Sequence, residues 1–74
     1  MVAMEALREV MKLKDVSTGA LSKRLGIAQN TLSERYKQKN VSVGKLSEML
    51  RVMDYRVVIV PNTARLPEGG FEVE

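Results

Sequence analysis

The 74-residue chain predicts a mainly α fold, with about four helices followed by one or two β-strands. Three observations carry the prediction. Apolar residues recur at helical spacing through residue 53, Ser and Gly stand where such helices would start and stop, and after Asp54 the period changes from 3.6 to 2. Residues 4–12 form the first expected helix, since Met4, Leu7 and Met11 fall at i, i+3 and i+7 with Val10 beside them. Glu5, Arg8, Glu9 and Lys12 then face outward. Asp15-Val16-Ser17-Thr18 ends that element and begins the next, with Ser17 as an N-cap and Val16 as a hydrophobic staple. The second helix, 18–25, turns Leu21 and Leu25 inward and Lys23 and Arg24 outward, and Gly26 stops it. Only Gly26, Ile27 and Ala28 separate it from a third helix over 29–37, whose buried stripe is Leu32 and Tyr36. After a polar stretch Val41 tucks the chain back, and Ser42 caps a fourth helix with Leu46, Met49, Leu50 and Met53 inward.

Residues 55–60, rich in β-branched side chains and closed by Pro61, are expected to form a strand. Residues 61–70 are loop, and Phe71-Glu72-Val73-Glu74 alternates as a second strand would. A strand with two apolar faces needs a backbone partner. That partner is either 71–74, as a hairpin, or the same strand of a second copy across a twofold axis. A homodimer is favoured, with Tyr55, Val57, Val58, Ile59 and Val60 as its contact, because a lone hairpin on so small a core is marginal. The chain thus divides into a helical part, 1–54, and a dimerising extension, 55–74, of one domain.

Composition limits the chemistry. Without Cys or His, disulfides, thiolate metal sites and thiol catalysis are excluded, and so is the commonest general base. No metal or cofactor is expected, and no acidic or nucleophilic residues converge as an enzyme would need. At 45% apolar and 28% charged residues the chain is ordinary globular protein. No unbroken apolar run exceeds four residues, as in Val57–Val60, far too short for a bilayer. With no basic flank before a long apolar stretch no signal peptide is expected, which implies a cytoplasmic protein without membrane contact. The net charge of +3 is unevenly spread. Residues 12–45 carry Lys12, Lys14, Lys23, Arg24, Arg35, Lys37, Lys39 and Lys45 against Asp15 and Glu34, a local excess of +6. Residues 1–11 sum to −1 and residues 46–74 to −2. That segregation suits a cationic face for a polyanion, or equally a solvated surface whose bases happen to cluster.

Two short helices joined by three residues around a glycine make a helix-turn-helix unit. Over Ser17-Thr18-Gly19-Ala20-Leu21-Ser22-Lys23-Arg24-Leu25-Gly26-Ile27-Ala28-Gln29-Asn30-Thr31-Leu32 the chain resembles the lambda-repressor and Cro-like family, of the xenobiotic-response-element type. The resemblance covers residues 4–53. Small Ser22 lets the two helices approach, Gly26 makes the turn, and Leu21, Leu25, Ile27 and Leu32 fill the angle between them. Three positions depart from the family pattern. Gly19 weakens the second helix by up to about 1 kcal/mol. Ala28 replaces a capping Ser or Thr, and Arg35 holds a slot that is usually apolar, with Tyr36 taking over the packing.

The resemblance implies that the third helix lies in the major groove with its first turn on the base edges. That turn carries Gln29, Asn30 and Thr31, with Ser33 and Glu34 further along. Gln and Asn amides suit the N6/N7 edge of adenine, a Thr methyl suits thymine, and Glu34 suits a cytosine amine or rejects phosphate. The plain alternative is that these are solvated residues at a helix start. Thr18, Lys37, Lys39, Asn40, Ser42 and Lys45, with Lys23 and Arg35, are the residues the resemblance sets against phosphates. Lys12, Lys14 and Arg24 are assigned to solvation. Met4, Met11, Met49 and Met53 sit at core spacing, which favours packing over a methionine-lined peptide groove.

The reading is a small dimeric regulator, a repressor acting by occupancy of a near-palindromic double-stranded DNA site, its recognition helices about 34 Å apart. Two alternatives stand beside it: an antitoxin-type regulator that also binds a protein partner through 55–74, and a protein-interaction module without DNA binding.

Overall fold

The architecture follows from where the backbone finds partners for its helix ends. The computed structural model describes residues 1–38 and 41–74. Its helices are α1 (Ala3–Lys14), α2 (Thr18–Leu25), α3 (Gln29–Tyr36) and α4 (Val43–Arg51). α1 runs past the expected residue 12 and ends where Asp15 turns left-handed at φ 53°. Asp tolerates that conformation better than most side chains, and the reversal lets the N–H groups of Asp15 and Val16 donate to Lys12 O and Met11 O. Val16 is thereby buried just before α2, as a staple requires. Ser17 Oγ accepts from Ala20 N–H at 3.1 Å, and Ser42 Oγ accepts from Lys45 N–H at 3.2 Å, so both expected caps form. Gly26 takes φ 70° at the α2–α3 turn, a conformation that costs glycine nothing.

α1 packs along α4, and α2 crosses α3 and touches α4. Between them lies one buried cluster: Met4, Leu7, Val10 and Met11 from α1, Leu21 from α2, Leu32 from α3, and Leu46, Met49 and Leu50 from α4. Met53, expected at the end of the fourth helix, is buried from the turn that follows α4. Ser22 is buried as well, its hydroxyl donating to Gly19 O at 2.8 Å, so a polar side chain sits at the α2–α3 crossing without an unpaired group. Leu32 is the one residue of α3 in the fully buried cluster, with Tyr36 packed partly against it.

The expected C-terminal β-structure does not form. Among the described residues there is no strand, and no backbone N–H from 56–60 bonds another segment. Residues 55–60 form no regular element, Pro61–Ala64 and Pro67–Gly70 close two turns, and Gly69 supplies the positive φ of 80° that the second turn needs. Phe71 then packs on the helical core, while the backbone of 72–74 hydrogen-bonds Met1 instead of 55–60. No ladder forms because the returning chain finds other partners: Gly69 O accepts from the Tyr55 side chain, Phe71 packs on the core, and the backbone of 72–74 is taken by Met1.

Candidate nucleic-acid interface

α3 is anchored at its middle by Leu32 and at its end by Arg35 and Tyr36, and its remaining side chains face solvent. Gln29, Asn30, Thr31, Ser33 and Glu34 are all exposed. α3 begins at Ala28 with no side-chain cap. Asn30 Oδ1 accepts from Thr31 N–H at 3.0 Å, the same third-position N–H that Ser17 satisfies by capping α2. Asn30 therefore stabilises its own helix start and keeps its amide N–H groups free. Ser33 donates to Gln29 O at 3.1 Å, so its hydroxyl is turned along the helix. Glu34 faces Lys37 Nζ at 3.3 Å on open surface, a pair worth little to stability.

The first turn of α2 meets α3 at both ends. A Cβ on Gly19 would meet Gln29 Oε1 at 3.9 Å, an ordinary contact distance, so the Gln29 amide lies directly beside the first turn of α2. Thr18 Oγ1 lies 3.3 Å from Tyr36 Oη. Thr18, Gly19 and Gln29 are thus gathered into one surface by the crossing. Lys23 on α2 and Lys45 on α4 are exposed and have no ion-pair partner among the described residues. Ser42 is exposed while its oxygen caps α4. Lys39 and Asn40 lie outside the described residues.

Arg35 is the clear exception. Its side chain is only 13% exposed, and Nη1 is fully buried, 3.6 Å from Glu48 Oε1 on α4. A phosphate cannot reach that nitrogen, so the guanidinium ties α3 to α4 instead of extending the cationic surface. The apolar slot is filled by its neighbour, since Tyr36 packs against the core beneath the Arg8 guanidinium, 5.9 Å from its ring centre. Lys12 pairs with Glu9, Lys14 stands over the Tyr55 ring, and Arg24 Nη1 donates to Val52 O beyond the end of α4. Sequence reasoning missed the Asn30 cap, although the uncapped Ala28 was its signal. The Tyr36–Thr18 contact had no such signal, because it joins residues eighteen apart.

The family described as the Cro/C1-type HTH DNA-binding domain matches residues 6–57. The chain belongs to that family. The match spans all of α2, α3 and α4 and most of α1, and stops early in the C-terminal arm. No curated protein and no solved structure matches the chain significantly. A Cro/C1-type domain is a helix-turn-helix module for double-stranded DNA, and α2 and α3 are that pair here. Among the described residues no three His, Cys, Asp or Glu side chains could jointly hold a metal, and no helix is long and apolar enough to cross a membrane.

Proposed function

We propose that this Cro/C1-type protein is a dimeric, sequence-specific regulator that represses transcription by occupying a near-palindromic operator. The observation that carries the reading is the exposure of α3: the helix spends one side chain on the buried core and leaves Gln29, Asn30 and Thr31 open beside α2. In this reading Gln29 and Asn30 meet adenine edges and Thr31 a thymine methyl, with Ser33 and Glu34 further along the groove. Thr18, Lys23, Lys37, Lys39, Asn40, Ser42 and Lys45 lie against phosphates, and Arg35 orients α3 from behind through Glu48. Enzymatic chemistry has no part in it.

The dimer is proposed to form through 55–60. Val57, Val58, Ile59 and Val60 are exposed, Ile59 completely, and the backbone of 56–60 offers an open edge to a second copy. The same edge also favours a second reading, in which a different protein pairs with it and the chain acts as an antitoxin-type regulator.

Selection of bound duplexes from a random pool at two salt concentrations tests the proposal. The expected result is an enriched inverted repeat with A·T-containing half-sites, its affinity falling steeply with salt. Retention that vanishes uniformly with salt, without enrichment, would sink it.

A further inference from the structure

The Tyr36 hydroxyl stands between two acceptors. It is 3.3 Å from Thr18 Oγ1, where either oxygen can donate, and 3.6 Å from Met11 Sδ, which can only accept. One phenolic proton cannot serve both. If Tyr36 donates to Met11, Thr18 donates to the phenolic oxygen and shows only lone pairs to solvent. If Tyr36 donates to Thr18, the threonine proton is free to point outward. Both hydroxyls line a cleft of about 440 Å³ that Arg8, Lys12, Asp15 and Ser17 also border, so two cationic side chains and one carboxylate stand around them. The tyrosine ring is held by the core beneath it and by the Arg8 guanidinium above it. Its hydroxyl is therefore delivered to α2 by the fold rather than by a mobile side chain.

We propose that Tyr36 is a positioning residue for DNA binding, which orders the Thr18 hydroxyl so that it donates to a backbone phosphate. The inference rests on the reading of Thr18 as a phosphate contact. In the bound state the protons run in series, Tyr36 O–H to Thr18 Oγ1 and Thr18 O–H to the phosphate oxygen. A thioether is a weak acceptor, so the bond to Met11 is given up at little cost. The new bonds polarise one another and end on a charge, where hydrogen bonds are strongest. Because Tyr36 closes α3 and Thr18 opens α2, the phosphate grip and the base-reading turn keep one register.

The test is a double-mutant cycle on the full chain, with binding measured on the selected duplex and on a random duplex of equal length. Thr18→Val is expected to weaken binding about tenfold, and Tyr36→Phe about threefold, on both duplexes alike. The double variant is expected to bind no more weakly than Thr18→Val alone, and Thr18→Ser to bind like the unchanged protein. Circular dichroism on every variant restricts the comparison to folded chains, and Thr18→Ala takes the place of Thr18→Val if the latter does not fold. Additive losses in the double variant, or unchanged binding by folded Tyr36→Phe, would overturn the positioning role while leaving the DNA reading intact. Failure of the unchanged protein to bind any duplex would overturn both.

Discussion

In the helical body Leu7, Leu21, Leu32 and Met49 are wholly shielded from solvent, whereas in the C-terminal arm Val57, Val58 and Val60 are exposed and Ile59 is bare. The side chains are equally apolar, so hydrophobicity alone does not separate the regions. What separates them is backbone pairing. A helix satisfies its own N–H and C=O groups and needs a neighbour only for one stripe of side chains, which α1 to α4 supply to one another. An extended segment needs a second segment for its backbone as well, and the arm returns its own to Met1 and the core instead. The body satisfies its backbone within its own helices, whereas the backbone N–H groups of 56–60 bond no other segment among the described residues.

The largest expected break in that contrast comes from Leu32→Ala, which empties the single fully buried position of α3. It is expected to cost about 2–5 kcal/mol in denaturant unfolding and to abolish DNA binding through loss of the fold. Phe71→Ala removes the contact through which the arm returns to the core, with an expected cost of about 1–2 kcal/mol because the ring is only half-buried. A change near zero would mean the arm stands free of the body in solution. Ser17→Ala is expected to lose about 1 kcal/mol with the α2 cap. Ala28→Ser, at the uncapped start of α3, is expected to raise the unfolding free energy by about a few tenths of a kcal/mol, since Asn30 already takes the N–H it would cap. Ile59→Lys is expected to leave the unfolding free energy of the body within about 0.5 kcal/mol. In sedimentation equilibrium it is expected to shift the protein to monomer, and a dimer that survives it would place the interface elsewhere.

Much of the body was legible because its determinants are local. Ser17, Gly26 and Ser42 mark boundaries through bonds to residues within a turn, and the stripe of Leu46, Met49 and Leu50 needs only helical periodicity to be recognised. The exposed face of α3 was legible for the same reason, since Gln29, Asn30 and Thr31 fall outside the spacing of Leu32 and Tyr36. Arg35 shows where local reasoning ends. Its charge argued for a phosphate, yet the slot it occupies faces α4, where Nη1 lies at ion-pair distance from Glu48 without a hydrogen bond. Arg24 and Lys14 likewise found partners in Val52 O and the Tyr55 ring, which lie far along the chain.

The order of elements, their caps, the core stripes and the turn glycine were all settled by short-range chemistry written along the chain. The fate of residues 55–60, the inward turn of Arg35 and the meeting of Thr18 with Tyr36 were decided only when distant segments packed together. β-propensity specifies a conformation but not a partner, and a charge specifies an attraction but not a direction. Both are resolved by the neighbours that folding supplies.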